Sequence, residues 1–596
     1  MSGTLRSILL SLVLVVIGFL AWTLGARAQP FNAVQGAPSA VEGQQPAPAQ
    51  EARPDLILVN GRIVTADESR PEAEAIAIRG ETIAALGTTA EMRALAGPST
   101  KIVDLQGQLA IPGFIEGHGH FTGLGSGLMN LNLMTAKSWD DILTQVAAAV
   151  ETAKPGQWII GRGWHQEKWS SVPVPNVEGF PTQESLSRVA PNNPVVLTHA
   201  SGHASFVNAK AMELSGITRA TADPAGGEIL KDAAGNPTGL LRERAAGLVR
   251  QGAGEPATTR EDIRARALRG IELATAEALE NGVTSFHDAG AGFETVDLFK
   301  QLADENKLGV RLYVMLRVGN DALAQRIKDY RLVDYGNKRL TVLSIKVSLD
   351  GALGPRGAWL LEPYTDKADS SGLNTTSIES ARRTAQIAID NGFQLNIHAI
   401  GDRANREVLD IYEAAFKTAG TDGRDLRWRI EHAQHIHPAD IPRFGQLGVI
   451  AAMQGIHCTS DAPYVPQRLG DERARTGAYV WQSLMKSGAL VTNGTDVPVE
   501  DIDPIASFYA TVTRKTAEGA VFYPDQRMSR LEALKSYTIN NAIAAFEEDS
   551  KGTIAPGKLA DIAVLSKDIM TVPDDQIRDA KVVYTIVGGK IVYEGK

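Results

Sequence analysis

The sequence predicts an α/β protein: a (β/α)8 TIM barrel with a small β-sandwich built from both chain ends and an inserted subdomain. Three observations predict it. Eight short β-like runs alternate with amphipathic stretches between about residues 113 and 500, the texture of parallel strands joined by helices. Hairpin-like runs fill 55–112 and recur at 553–596. A segment at about 121–260 separates the first two barrel-type runs, far more chain than one βα connection needs.

Composition agrees. The 596 residues are 43% hydrophobic and 22% charged, an ordinary globular balance that excludes a disordered chain, a collagen or a coiled coil. The 60 basic and 69 acidic residues leave a net charge of −9, which argues against nucleic acid as a partner. Cys458 is the lone cysteine, so neither an intramolecular disulfide nor a CxxC metal site exists.

Taken in order, residues 1–28 read as a signal peptide. Arg6 precedes an apolar run, Ile8 to Leu24, and Ala26-Arg27-Ala28 offers a small-x-small cleavage site. An uncleaved anchor is the competing reading, because the run approaches spanning length. Residues 29–54, rich in Ala, Pro, Gln and Glu, suit a flexible linker. The expected location is periplasmic, after secretion across the inner membrane, with no other membrane contact. The N-terminal share of the sandwich is expected at 55–112, where Leu56–Val59, Asn60-Gly61 and Arg62–Val64 read as a hairpin, followed by Ala75–Ile78 and Thr82–Leu86. Its C-terminal share is expected at 553–596.

The barrel, expected over 113–552, places strands at Gly113–Glu116, Val283–Phe286, Arg311–Val318, Leu343–Val347, Gln394–Ile397, Trp428–Ile430, Val449–Met453 and Leu490–Thr492. Amphipathic stretches such as Ile263–Glu280 and Ile378–Asp390 supply helices.

Eleven histidines carry the strongest functional signal. His118 and His120 close the first run, and His287, His398 and His432 follow the second, fifth and sixth. His457 lies past the seventh, and Asp496 follows the eighth. The C-terminal ends of barrel strands converge on one mouth, where active sites are built. His-x-His on a strand puts both imidazoles on one face. Imidazole and carboxylate together suit zinc or a similar divalent ion.

The chain resembles the amidohydrolase superfamily, in the branch of N-substituted formamide deformylase and YtcJ-like proteins. The residues that carry the resemblance are Ile111-Pro112-Gly113-Phe114-Ile115-Glu116-Gly117-His118-Gly119-His120, Lys346 with Asp350-Gly351-Ala352-Leu353-Gly354-Pro355, and His398-Ala399-Ile400-Gly401-Asp402-Arg403. Arg429-Ile430-Glu431-His432, Gly494-Thr495-Asp496 and Gly552-Thr553-Ile554-Ala555-Pro556-Gly557 complete them. Two residues depart from the pattern: Glu116 where Asp is usual, and Gly455 where Pro is usual.

The resemblance implies one or two divalent ions per chain. His118 and His120 would hold the more buried ion, His398 and His432 a second, and Asp496 would ligate the first and move a proton. Lys346 would bridge them after carbamylation by CO2. His203 would contact substrate, with Asp402 and Arg403 orienting His398, and Gln454 and His457 lining the mouth. Trp164, Trp169, Trp359, Tyr364, Tyr479 and Trp481 offer an aromatic wall. The implied function is a metal-dependent hydrolase in which activated hydroxide cleaves a non-peptide C–N bond, an amide, N-acyl or N-formyl group, of a small-molecule substrate. A homodimer is the candidate assembly. The alternatives are a lactonase or esterase using the same centre, and a non-catalytic extracytoplasmic binding protein.

Overall fold

The computed structural model describes residues 53–255 and 259–595; the expected signal peptide, and the linker as far as residue 52, lie outside the described residues. Among the described residues no helix is long and apolar enough to cross a membrane.

The eight expected barrel strands are present: β1 (Phe114–Gly119), β2 (Val283–Ala291), β3 (Arg311–Leu316), β4 (Leu340–Ser348), β5 (Gln394–Ala399), β6 (Arg429–His432), β7 (Ile450–Gln454) and β8 (Val491–Gly494). They pair in parallel in that order. Their residues are almost all buried, as parallel strands covered by helices must be. The covering helices include Arg260–Glu280, Ile378–Asn391 and Asp402–Ala419.

Among the described residues no backbone ladder joins β8 to β1. That seam is closed otherwise. The Asn541 amide donates to Ile115 O at 2.7 Å and Asn493 O at 2.8 Å. Thr495 N donates to Glu116 Oε1 at 2.6 Å, and Asp496 N to His118 O at 2.8 Å. Two glycines permit the approach. A methyl on Gly117 would overlap Asn541 and the Asn493 carbonyl, and one on Gly494 would lie 2.7 Å from Glu116 Oε1.

The strand ends differ from the expectation at one informative place. β2 runs on to Ala291, so His287 sits inside the barrel, against Tyr313 and 3.1 Å from Arg429 Nη1. It is not a mouth residue.

Between β1 and β2 lies a six-stranded sheet in the order Gly227–Lys231, Pro237–Glu243, Ala204–Val207, Val195–His199, Ile159–Trp164, Leu131–Asn132. It has its own apolar cluster around Trp139, Trp164, Leu197 and Phe206.

The chain ends form two further sheets. One contains Thr82–Gly87, Ala75–Arg79, Leu56–Val59 and Lys101–Asp104. The other joins Leu109–Pro112 antiparallel to Ile562–Leu565, with Arg62–Val64 on one side and the hairpin Val582–Val587/Lys590–Glu594 on the other. Leu58, Ile76, Ile83, Ile562 and Ile586 meet in one cluster between them. The expected hairpin at 56–64 is overturned, because Leu56–Val59 and Arg62–Val64 belong to different sheets. Asn60, at φ 54°, turns the chain from one sheet into the other. Arg311 at the start of β3 holds Asp561 at 2.7 and 3.1 Å, both buried, and so fixes the C-terminal sheet to the barrel.

Candidate metal centre

The C-terminal strand ends open into a cavity of about 710 Å3 walled by His120, His203, Lys346, His398, His432 and Asp496 among others. His118 lies just beneath, its Nε2 3.4 Å from Lys346 Nζ. Asp496 is the hub. Its Oδ1 is 3.5 Å from His118 Nε2 and 3.3 Å from His120 Nε2, and its Oδ2 is 4.0 Å from His432 Nδ1. The His432 ring lies 4.7 Å from that of His118 and 4.4 Å from that of His398.

Backbone geometry explains how His432 arrives there. By strand alternation Arg429 and Glu431 share the inward face of β6, and His432 should point outward. His432 has φ 75° and Ala433 φ 42°, and this left-handed kink turns the imidazole into the mouth. Asp496, at φ 60°, is turned the same way. Such conformations cost about 1–3 kcal/mol each and are tolerated where the surroundings fix them.

Beneath the cluster lies a buried ion network that the sequence did not reveal. Glu431 accepts from His118 Nδ1 and pairs with Arg429 Nε at 2.7 Å, while Arg429 Nη2 also donates to Gly117 O at 2.7 Å. Burial alone would raise the Glu431 carboxyl, but Arg429 and His118 hold it far below the usual range. A carboxylate on one ring nitrogen fixes the tautomer that leaves Nε2 free to ligate. Gln454 Oε1 holds His432 Nδ1 at 2.7 Å. Asp402 and Arg403 do not reach His398: Asp402 accepts from Leu361 N, and Arg403 lies over the Trp359 ring. The neighbour of His398 is Asp350, 3.5 Å away and tied to the N–H groups of Trp359, Ile400 and Gly401.

His203 stands on the loop before Ala204–Val207, its ring 4.9 Å from His398 and its Nδ1 2.7 Å from Glu243 Oε2. Burial alone would lower its pKa, but Glu243 outweighs it and the net shift is upward. Glu243 lies against Gly351 and Gly357, where a methyl would overlap its carboxylate. The departure Gly455 is also a close approach, since a methyl there would overlap Thr511 Oγ1. The expected aromatic wall is not a wall of this cavity: no aromatic ring other than imidazole lines it among the described residues. Trp164, Tyr364, Tyr479 and Trp481 are packed in the interior.

The electrostatics suit a cation. Burial pushes His120 down to about 4 and holds His118, His398 and His432 below their ordinary value, so their lone pairs are free at neutral pH. Burial tends to raise Asp496, yet His118, His120 and His432 hold it well below the carboxylate range. Ligand atoms of His118, His432 and Asp496 lie within 4.8 Å of one another. Asp496 Oδ1 and His398 Nε2 are buried without a hydrogen-bond partner, as atoms reserved for a metal would be. The residues fit a divalent ion.

A parallel barrel with neutral imidazoles and a carboxylate at its C-terminal mouth is the arrangement of a metal-dependent hydrolase. The comparisons agree: residues 101–593 match the Amidohydrolase family, and the chain belongs to it. Protein LONG AFTER FAR-RED 3 of Arabidopsis thaliana is 34% identical over 90% of this chain and 91% of its own. The N-substituted formamide deformylase of Arthrobacter pascens is 29% identical over 91% of this chain and 98% of its own, in keeping with the expected branch. An uncharacterized metal-dependent hydrolase from Pyrococcus horikoshii superposes with a TM-score of 0.68 at 27% identity, covering 87% of this chain and 99% of that one.

Proposed function

We propose that this protein hydrolyses a non-peptide carbon–nitrogen bond, an amide or N-acyl group, in a small molecule. The observation that carries the reading is Asp496, a buried carboxylate within 4.0 Å of three histidines at the floor of the cavity. A divalent ion held there, zinc by its donor set, supplies Lewis acidity and lowers the pKa of a water.

The chain's own residues do the rest. Asp496 takes a proton from the attacking water as the oxygen–carbon bond forms, and returns it to the nitrogen as the carbon–nitrogen bond breaks. His203, oriented by Glu243, keeps a proton facing the developing oxyanion. Lys346 is pushed down to about 8 by burial, which supports its reaction with CO2: the amine lone pair forms the N–C bond, one proton leaves, and a carbamate replaces the ammonium. That anion would accept cations which a bare ammonium repels. His118 and His120, with Asp496, would hold one ion, and His398 and His432 a second.

The same reading takes the terminal sheets as one β-sandwich, the segment between β1 and β2 as an inserted subdomain, and the mature chain as exported to the periplasm after cleavage behind Ala28. Metal analysis beside a panel of formamides, larger amides, lactones and esters tests it. Turnover of lactones or esters with none of amides would replace this function with the ester-cleaving one.

A further inference from the structure

Three guanidinium groups line the cavity: Arg162, on strand Ile159–Trp164; Arg244, just after strand Pro237–Glu243; and Arg317, one residue past β3. They come from separate parts of the chain and line the same cavity. Among the described residues none of the three has a carboxylate within ion-pair distance. Arg162 donates to Pro498 O at 3.2 Å and Ala200 O at 3.0 Å. Arg244 donates to Thr375 O at 2.6 Å and Thr376 Oγ1 at 3.4 Å. Arg317 donates to Ser348 Oγ at 3.1 Å.

Arg162 is half-buried, and Arg244 and Arg317 are exposed on the cavity side. Among the described residues the buried Arg514 also lacks a carboxylate and donates to Phe522 O and Tyr479 O, whereas four other buried guanidiniums, those of Arg242, Arg311, Arg429 and Arg468, each hold at least one. The cavity's own carboxylates are engaged, Glu243 by His203 and Asp496 by its histidines. In a chain with net charge −9, this cavity therefore carries three arginines that no carboxylate of its own wall neutralises. Two of them also face the chemistry, since the charge of Arg317 acts on Lys346 and His203, and Asp496 acts on both Arg162 and Arg317.

Resting on the hydrolase reading above, we propose that the substrate is an anion: an amide whose body carries a carboxylate, held by Arg162, Arg244 and Arg317 while the amide carbon meets the floor of the cavity. The fork of a guanidinium matches a carboxylate in two parallel hydrogen bonds. Arg162 and Arg244 belong to the segment between β1 and β2 and Arg317 to the barrel, so the anion would bridge the two. Neutral amides of equal size would leave the three charges without a counter-ion and bind less well.

The test pairs an N-acyl amino acid with its carboxamide, which differs only in the missing charge. With the full-length metal-loaded protein, kcat/KM for the carboxylate should exceed that for the carboxamide by about 10- to 100-fold, the worth of one or two charge-assisted hydrogen bonds. Arg317→Met should reduce that ratio at least tenfold, and Arg317→Lys should restore some of it. Calorimetric binding of the same pair to an Asp496→Asn chain gives a readout free of turnover, and Arg162→Met in that background should weaken only the carboxylate. Equal turnover of charged and neutral amides, with no change in ratio for Arg317→Met, would overturn the anion proposal and leave the hydrolase reading standing. Carboxylate binding that depends on the arginines, with no amide cleaved, would do the reverse.

Discussion

Glu431 offers the sharpest test of how the metal centre is supported. It is wholly buried, holds His118 Nδ1, and balances Arg429, which is itself fully enclosed. Glu431→Gln keeps the shape and removes the charge. Arg429 would then have neutral acceptors alone: His287 Nδ1 at 3.1 Å, Gly117 O at 2.7 Å and the oxygen of the new amide. Breaking a buried pair in this way costs about 3–5 kcal/mol. A separate loss falls on the metal. With a neutral amide on Nδ1 the imidazole is a poorer ligand, and such changes reduce metal affinity about 10- to 100-fold, or about 1.4–2.7 kcal/mol. Urea unfolding of metal-stripped protein reads the first effect as a lower midpoint, and competition against a chromophoric chelator reads the second. Arg429→Met/Glu431→Gln should recover much of the stability while leaving metal affinity weak, since the stranded charge is gone but the tuning carboxylate is still missing. Unchanged metal affinity in Glu431→Gln, at a free-metal level near the wild-type Kd, would refute the orienting role.

Other expected outcomes follow from the same geometry. Stripping the ion with a strong chelator should abolish turnover and lower the thermal midpoint, with both restored by zinc, because ligands that bind only the folded state stabilise it. Gly117→Ala should destabilise the barrel by about 1–3 kcal/mol, as overpacking does, since a methyl there collides with the seam at Asn541 and Asn493; a variant melting at the wild-type temperature would show the seam to be slack. Asp561→Asn should loosen the C-terminal sheet by stranding buried Arg311. Burial tends to raise Asp561, but Arg311 leaves its pKa below the ordinary 3.8. The wild-type advantage is therefore complete above 3.8 and fades as pH falls through the folded value, which unfolding midpoints measured across pH 2–6 would display.

The barrel and its mouth are legible in the sequence because both follow from short-range rules. Buried parallel strands read as apolar runs, and His118, His120 and Lys346 sit where a two-residue period must aim them inward. The failures are equally physical. Asn60-Gly61 is a strong local hairpin signal, yet sheet membership is decided by partners such as Ala77, Ile102 and Ala110, which no local window contains. The pattern of β2 fades after Phe286, because Asp288 and Gly290 dilute its apolar run, and it therefore puts His287 at the mouth. Glu431 stands in a motif of the resemblance and Glu243 in none, but neither role can be read locally, since their partners His118 and His203 are 313 and 40 residues away. For His432 the pattern points to the right chemistry by an incomplete route: alternation alone would turn it outward, and only its positive φ brings it in.

The pairing of Leu109–Pro112 with Ile562–Leu565 sets a clock on biosynthesis. About 450 residues separate the two strands, and ribosomes add roughly 5–20 residues per second. The earlier strand therefore waits some 20–90 s, at those rates, before its neighbour exists. Throughout that interval an apolar edge, Leu109, Ala110 and Ile111, has unpaired amides on the side that Ile562–Leu565 will occupy, and such edges recruit other chains. A nascent chain of this protein is thus a natural client for holdase chaperones, and premature stop codons anywhere before the final strands would yield sticky, rapidly degraded fragments in place of a slightly shortened enzyme.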